Sequence, residues 1–231
     1  MASLRDVLPQ VLALTAAKGM PRRYLSLDTE TSGLSLKDDF VVQFGYSIVN
    51  DGKIVNIGSF YICPTIQGKI MNPRASEING ITDEKLRKEG MDPRTAFSEV
   101  VDLIKAASTG TSLLAGHNLF KFDCNILESE FKRHGISFQF DRNRLFDVGL
   151  IEKALRINTK PKEGEILQKF YKRVSSAYSR GVRWSLDRIL IPTYGIDKSA
   201  ELDVNNLHDA AEDAKAVCLI IEEWRKLMGG K

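Results

Sequence analysis

The chain has 231 residues, 43% of them hydrophobic and 27% charged, which supports one substantial core and excludes a disordered or fibrous composition. A net charge of +3 does not by itself announce a nucleic-acid partner, and no apolar run is long enough for a membrane span. Cys63, Cys124 and Cys218 are far apart and odd in number, so neither a disulfide framework nor a zinc site is supported; core thiols in a reducing, cytoplasmic compartment are expected.

In chain order, "MASLRDVLPQVLALTAAKG" is mildly apolar but broken by Asp6, Pro9 and Gln10. It predicts a short docking helix rather than a secretory signal, an extension of residues 1–20 ahead of a main domain of residues 21–231. "RRYLSLD" then alternates, with Leu25 and Leu27 on one face and Tyr24, Ser26 and Asp28 on the other. "FVVQFGYSIVN" and "KIVNIGSFYICP" flank Asn50-Asp51-Gly52-Lys53, a hairpin signal, so three consecutive antiparallel strands are expected.

Helical signals follow. "PRASEINGITDEKL" predicts a turn or short helix, then a helix capped by Thr82. "DPRTAFSEVVDLIKAAS" places Phe97, Val100, Val101 and Ile104 at helical spacing. "SLLAGHN" is a short buried strand, and "LFKFDCNILESEFKRHG" a helix ended by Gly135 with Lys132 and Arg133 in its last turn. "RLFDVGLIEKAL" is a strand running into a helix, and "GEILQKFYKRVSSAY" a further helix. "WSLDRILIPTYGI" predicts a short helix ending before Pro192, and "DAAEDAKAVCLIIEEWRKLM" a long final one. A hairpin followed by strands alternating with helices predicts an α/β domain, a mixed sheet flanked by helices.

Four acids stand out against this background. Asp28 and Glu30 are two apart at the end of the first strand and so share a face. Asp123 lies four residues from Leu119 and from Leu127, on or beside the buried stripe of its helix. Asp213 lies between Ala210 and Val217 in the last helix, where small alanines allow close approach to a sheet. Asp209 is a candidate cap for that helix, which puts His208 on the preceding loop. Each feature alone is compatible with a solvated strand end, a paired helix-flank acid or a polar loop. If the four acids converge, they repel one another, and hard divalent cations such as Mg²⁺ or Mn²⁺ remove the problem. Two such ions suit an in-line phosphoryl displacement, with a histidine to deprotonate the attacking water.

"DTETSG", "GHNLFKFD" and "HDAAED", in that order, resemble the DEDDh (DnaQ-like) family of 3′→5′ exonucleases, which includes polymerase proofreading subunits and ribonuclease T. The resemblance covers residues 22–228 and rests on three motifs together with the His208-to-Asp213 spacing. It implies a ribonuclease H-like fold with a mixed five-stranded sheet. It further implies that Asp28, Glu30, Asp123 and Asp213 ligate two divalent metal ions, Mg²⁺ or Mn²⁺, and that His208 is the general base. His117 and Asn118 match the family's HN pair, as supporting or substrate-positioning residues. Thr29 belongs to the first motif as a substrate-side residue, and Leu34 matches a position that wedges against terminal bases. "LFDVGLIEKAL" resembles a step that carries a further acid, here Asp147. Two positions depart from the pattern: Ser32 replaces a common threonine, and Asn79 stands where the family often has histidine.

Residues 153–191 hold ten Lys and Arg against three acids, an excess of seven positive charges, while the rest of the chain has a negative excess of four. Phe170, Tyr171, Tyr178 and Trp184 are interleaved with them. Such a stretch suits a single-strand path, with Lys172 and Arg173 on phosphates and the aromatics under bases; a surface helix with its aromatics packed inward fits equally well. A basic helical insertion near residues 158–183 is therefore expected.

The leading reading is a 3′→5′ exonuclease that releases nucleoside 5′-monophosphates from single-stranded DNA. Its partner is a nucleic acid with a free 3′ end, with a DNA polymerase as a second candidate partner and no membrane involved. The alternatives are a 3′→5′ exoribonuclease trimming RNA ends and a non-catalytic nucleic-acid-binding or polymerase-docking module. No G-x-x-x-x-G-K-[ST] motif supports nucleotide-driven phosphotransfer.

Overall fold

The computed structural model describes residues 3–64, 68, 70–178, 186 and 208–229. The order of elements is α1 (Leu4–Leu14), β1 (Tyr24–Thr31), β2 (Val41–Asn50), β3 (Lys53–Tyr61), α2 (Pro73–Asn79), α3 (Asp83–Glu89), α4 (Pro93–Ala107), β4 (Leu113–Gly116), α5 (Asp123–Arg133), β5 (Leu145–Asp147), α6 (Val148–Arg156), α7 (Leu167–Ser176) and α8 (Ala210–Leu227). Five strands form one sheet in the order β3-β2-β1-β4-β5. The pairs β1–β2 and β2–β3 are antiparallel, and β1–β4 and β4–β5 are parallel, as expected for this fold class. Among the described residues, no helix is long and apolar enough to cross a membrane.

Local chemistry sets most of the boundaries. Asp51 and Gly52 both have positive φ, 50° and 77°, the geometry of a tight hairpin turn whose twist matches the flanking strands. Thr82 caps α3 by accepting the N–H of Lys85, and Asp92 caps α4 by accepting that of Thr95. Gly135, at φ 69°, follows the end of α5. The short helix predicted before Pro192 lies outside the described residues.

β1 is the central strand and is covered on both faces. Leu25 and Leu27 are fully buried on one side; on the other, Ser26 is equally buried beneath α8. The alternation read from "RRYLSLD" is therefore correct in phase, but its polar face is not a solvent face. The N-terminal helix is part of the same core: Val7, Leu8 and Val11 are fully buried and cluster with Phe146, Ile151 and Trp224.

Close approach of α8 to the sheet depends on β2. Asp28 pairs with Gly45 and Glu30 with Gln43, so these residues share the face on which α8 begins. A Cβ on Gly45 would lie 2.1 Å from the carbonyl carbon of Ala210, so the first turn of α8 rests on bare backbone. Gln43, only 1% exposed, uses both ends of its amide there: its nitrogen donates to Asp209 Oδ2 at 2.7 Å, and its oxygen accepts the Ala210 N–H at 3.3 Å. A register shift between Glu30 and Thr31 bends the end of β1 beside this seat.

Gly45→Ala should lower stability by about 2 kcal/mol or more, since backbone must move to admit the methyl group. Gly58→Ala, whose Cβ would meet only the end of the Tyr46 side chain, should cost less. Urea unfolding monitored by tryptophan fluorescence checks the order; equal losses would show that α8 is not seated in this way.

Candidate active site

Five side chains from four parts of the chain meet at the carboxyl end of β1. Asp28 and Glu30 come from the strand, Asp123 from the first position of α5, His208 from the loop before α8, and Asp213 from the first turn of α8. Asp28, Glu30, Asp123 and Asp213 line one cavity of about 430 Å³, together with Thr29, His117 and Asn118. An oxygen each of Glu30 and Asp213 and a ring nitrogen of His208 lie within 4.8 Å of one another.

The helix expected over "LFKFDCNILESEFKRHG" begins only at Asp123, because residues 119–122 form a turn. Asp123 is thus not an acid on a helix flank but one at a helix N-terminus. There, unpaired N–H groups and the positive end of the helix dipole favour negative charge. Asp213 has the same advantage in α8, whose cap, Asp209, accepts the N–H groups of Ala211 and Glu212. His208 sits just outside that cap with φ 85°, exposed and in the left-handed region.

These helix ends do not cancel the cost of grouping the acids. Burial raises the Asp28 carboxyl well above its usual range, and the charges of Asp123, Asp213 and Glu30 raise it further. Burial likewise pushes Glu30 up to about 8, against a hydrogen bond from Asn79 that favours its charged form. Asp123 and Asp213 are each pushed up to about 7, chiefly by burial, with opposing hydrogen bonds from the Thr29 hydroxyl and the His208 backbone respectively. Asp213 Oδ1 is buried and has no hydrogen-bond partner among the described residues. An orphaned carboxylate oxygen among hard, anionic donors is what a divalent cation would satisfy, so the residues present fit such an ion.

Neighbouring residues hold the acids in place. Thr29, expected on the substrate side, gives both its backbone N–H (3.1 Å) and its hydroxyl (2.7 Å) to Asp123 Oδ1, so it positions that carboxylate. Asn79 donates to Glu30 Oε2 at 3.2 Å and accepts the Ile81 N–H at 3.1 Å. The departure from the family's histidine therefore keeps a donor on the glutamate. Asp147 organises the loop after β4 by accepting the N–H groups of Asn118 (3.1 Å), Phe120 (2.9 Å) and Leu150 (3.0 Å). A Cβ on Gly149 would come within 2.9 Å of the His117 ring, so the glycine leaves room for that side chain.

Leu34 is 83% exposed and lines a second, adjoining cavity with Glu30, Ile78 and Asn79. Asp39 organises its loop by accepting hydrogen bonds from the Ser32 hydroxyl (3.0 Å) and the Ser35 N–H (2.7 Å). A Cβ on Gly33 would meet that carboxylate at 2.5 Å. Arg133 of α5 ties the loop down through the carbonyls of Lys37 and Asp39.

The basic stretch divides. Phe170 and Tyr171 are fully buried in the core, so they are not stacking platforms; of the four aromatics, Tyr178 is 85% exposed and Trp184 lies outside the described residues. Arg173 is engaged bidentately by Glu165, at 2.9 and 2.6 Å, and also donates to the Lys160 carbonyl. Lys172 is exposed. Neither residue lines the cavity of the acids. Gln43, Gly45, Thr29 as a carboxylate holder, and Gly149 escaped the sequence reading. Only the glutamine, polar in an otherwise apolar strand, left a local signal.

Comparisons with known proteins bear on the family and the fold. A family model described as RNase T-type exonuclease matches residues 25–221. A DNA polymerase III of PolC type from Mycoplasmopsis pulmonis is 30% identical over 122 residues, which span 53% of this chain and 8% of that protein. Ribonuclease T from Shewanella frigidimarina is 24% identical over 88% of this chain and 84% of its own length. The chain thus spans about a tenth or less of the polymerases it matches but most of the ribonuclease. Among solved structures, an E. coli exonuclease I–single-stranded DNA complex superposes with a TM-score of 0.67 at 17% identity, covering 90% of this chain and 41% of that one; this likeness shows the fold. The matched family model spans all four acids and His208, and on that ground the chain belongs to the DEDDh, RNase T-type family of 3′→5′ exonucleases.

Proposed function

We propose that the chain removes nucleotides from the 3′ end of a single-stranded nucleic acid by hydrolysis of the terminal phosphodiester. The observation that carries this reading is the gathering of Asp28, Glu30, Asp123 and Asp213 about one cavity, with His208 beside Glu30 and Asp213 and a buried Asp213 oxygen left without a hydrogen-bond partner among the described residues. The four carboxylates would hold two divalent cations, Mg²⁺ or Mn²⁺, which would polarise the scissile phosphate and stabilise the attacking and leaving oxygens. Thr29 and Asn79 keep Asp123 and Glu30 oriented toward that task. His208, on an exposed loop beside Glu30 and Asp213, takes the proton of the attacking water. His117 and Asn118 line the approach, and Leu34 stands where it can separate terminal bases.

DNA is the first substrate proposed and a DNA polymerase a candidate partner, since the PolC-type proteins matched are polymerases. RNA trimming is the second reading, and one observation favours it: the match to ribonuclease T extends over most of both chains. Single-stranded DNA and RNA of equal sequence, labelled at the 5′ end and incubated with Mg²⁺ or EDTA, decide between them. Stepwise shortening from the 3′ end with Mg²⁺ only is expected. Absence of shortening of either strand would leave the binding-module reading.

Asp123→Asn should reduce turnover by about a thousandfold or more while leaving strand binding measurable, because the amide keeps the acceptor for Thr29 but loses the charge. His208→Ala should slow hydrolysis with little change in Mn²⁺ affinity. Calorimetric titration that shows equal metal loss in both variants would contradict the separate roles.

The metal requirement should depend on pH. Glu30, Asp123 and Asp213 hold protons up to about 7 or 8 in the metal-free protein, and a cation must displace them. The Mn²⁺ concentration for half-maximal activity should therefore rise by about tenfold or more between pH 8 and pH 6. The same shifts make the metal-free protein lose stability as pH rises from about 4 toward 8, since the unfolded carboxylates ionise first. Added Mn²⁺ should thus raise Tm more at pH 8 than at pH 5; a shift independent of pH would mean that the ion binds elsewhere.

A further inference from the structure

Leu34 stands 83% exposed in the loop between β1 and β2, and that loop is braced rather than slack. A leucine gains nothing from water, and a free loop would fold it back onto the surface. Here the backbone is fixed around it. The Ser32 N–H donates to the Phe40 carbonyl at 2.9 Å and closes the base of the loop, and the Asp39 N–H donates to the Ser35 carbonyl at 2.9 Å. The Asp39 carboxylate accepts the Ser35 N–H in return at 2.7 Å, one residue from Leu34. The Asn72 N–H donates to the Ser32 carbonyl at 3.1 Å, which joins the loop base to the wall of the cavity that Leu34 and Glu30 share.

The outer brace is Arg133, the last residue of α5. An arginine in that place ordinarily serves the final carbonyls of its own helix. This guanidinium instead reaches 94 and 96 positions back along the chain, donating to the Asp39 carbonyl at 3.2 Å and the Lys37 carbonyl at 3.0 Å. It also lies over the Phe40 ring, 4.6 Å from the centroid. Glu130, buried one turn earlier, pairs with Arg133 and holds its fork in this direction. His134 Nε2 lies 3.3 Å from the other oxygen of Glu130. One helix of 11 residues, about 16 Å long, thus carries Asp123 at its first position and the brace of the Leu34 loop at its last.

We propose that Arg133 is a positioning residue for the hydrolysis, holding Leu34 at a fixed place relative to the acids so that the 3′-terminal nucleotide, once separated from its neighbour, keeps its phosphodiester in line. The assignment rests on the exonuclease reading above. A side chain pushed between stacked bases loads its loop with the cost of unstacking, and a loop that yields lets the bases close again. Arg133 bears that load through two carbonyls and one ring, and α5 passes it to the element that begins with Asp123. Arg133 lines neither the cavity of the acids nor that of Leu34, so it acts through the loop and not on the strand.

The test uses strands of the sugar type that the wild type degrades, ending either in a normal 3′ nucleotide or in an abasic tetrahydrofuran unit, with kcat and KM measured for the first cleavage. On the normal strand, Leu34→Ala and Arg133→Gln should each lower kcat/KM by about tenfold, mainly through kcat, since the strand still binds but is less often in line. The abasic strand has no terminal base to separate, so on it Arg133→Gln should change kcat/KM by less than about twofold; added to Leu34→Ala on the normal strand, it should cost less than about twofold more. Arg133→Lys, which reaches one carbonyl but not both, should lose about threefold with the same dependence on the terminal base, and it carries the test if Arg133→Gln fails to fold. Calorimetric titration should give Arg133→Gln the Mn²⁺ affinity of the wild type. Equal losses on the two strands, a loss additive with that of Leu34→Ala, or a tenfold fall in Mn²⁺ affinity would each overturn the positioning role, because each places the effect on the fold or on Asp123. Failure of the wild type to shorten the normal strand would remove the exonuclease reading and the positioning role together, whereas normal wild-type cleavage with base-independent losses in the variants removes the positioning role alone.

Discussion

The burial of four carboxylates beside one another is the constraint around which this molecule is arranged. Asp28, Glu30, Asp123 and Asp213 each sit where burial and neighbouring charge oppose ionisation. A fold that gathers them must hold them by contacts that do not depend on the acids themselves. Helix α8 supplies the largest part. It is seated on bare backbone at Gly45, linked to β2 through Gln43, and packed along its length by Val217, Ile221 and Trp224. Apolar burial and one buried amide thus fix the position of an acid that, left to electrostatics, would move away.

The helix ends soften the conflict without removing it. Asp123 opens α5, and Asp213 lies in the first turn of α8, so the dipoles of both helices favour negative charge where the acids meet. Single hydrogen bonds from Thr29 and Asn79 then set the direction of individual carboxylates. The remaining imbalance, visible in the partnerless Asp213 oxygen, is the feature that gives divalent cations their place in the proposed chemistry.

What was legible in the sequence follows from how local each signal is. Asp51-Gly52 needs only two residues in the left-handed region to form a hairpin, and Thr82 needs only the next turn of chain to cap a helix; both were readable. The paired acids of β1 share a face by strand geometry alone. The start of α5 was misplaced because Leu119 and Phe122 continue the apolar spacing of the helix while their backbone turns instead around Asp147, which accepts the N–H groups of Asn118 and Phe120. Phe170 and Tyr171 were as compatible with a base-stacking surface as with a core, since helical spacing does not say which side of a helix meets the sheet. Arg173 looked available for phosphate because its partner, Glu165, lies eight residues away across the start of α7.

The sequence by itself determined which residues could do the chemistry. Three short motifs in the right order carried the acids, the histidine and the family, because strand alternation and helix caps act within a few residues. Only the tertiary structure decided what holds them: that Gly45 lies beneath Ala210, that Gln43 links β2 to the start of α8, and that Arg133 reaches the loop of Leu34. These relations join residues tens to more than a hundred positions apart. No periodicity encodes them; they arise when buried surfaces exclude water and the chain settles into the one packing that brings those faces together.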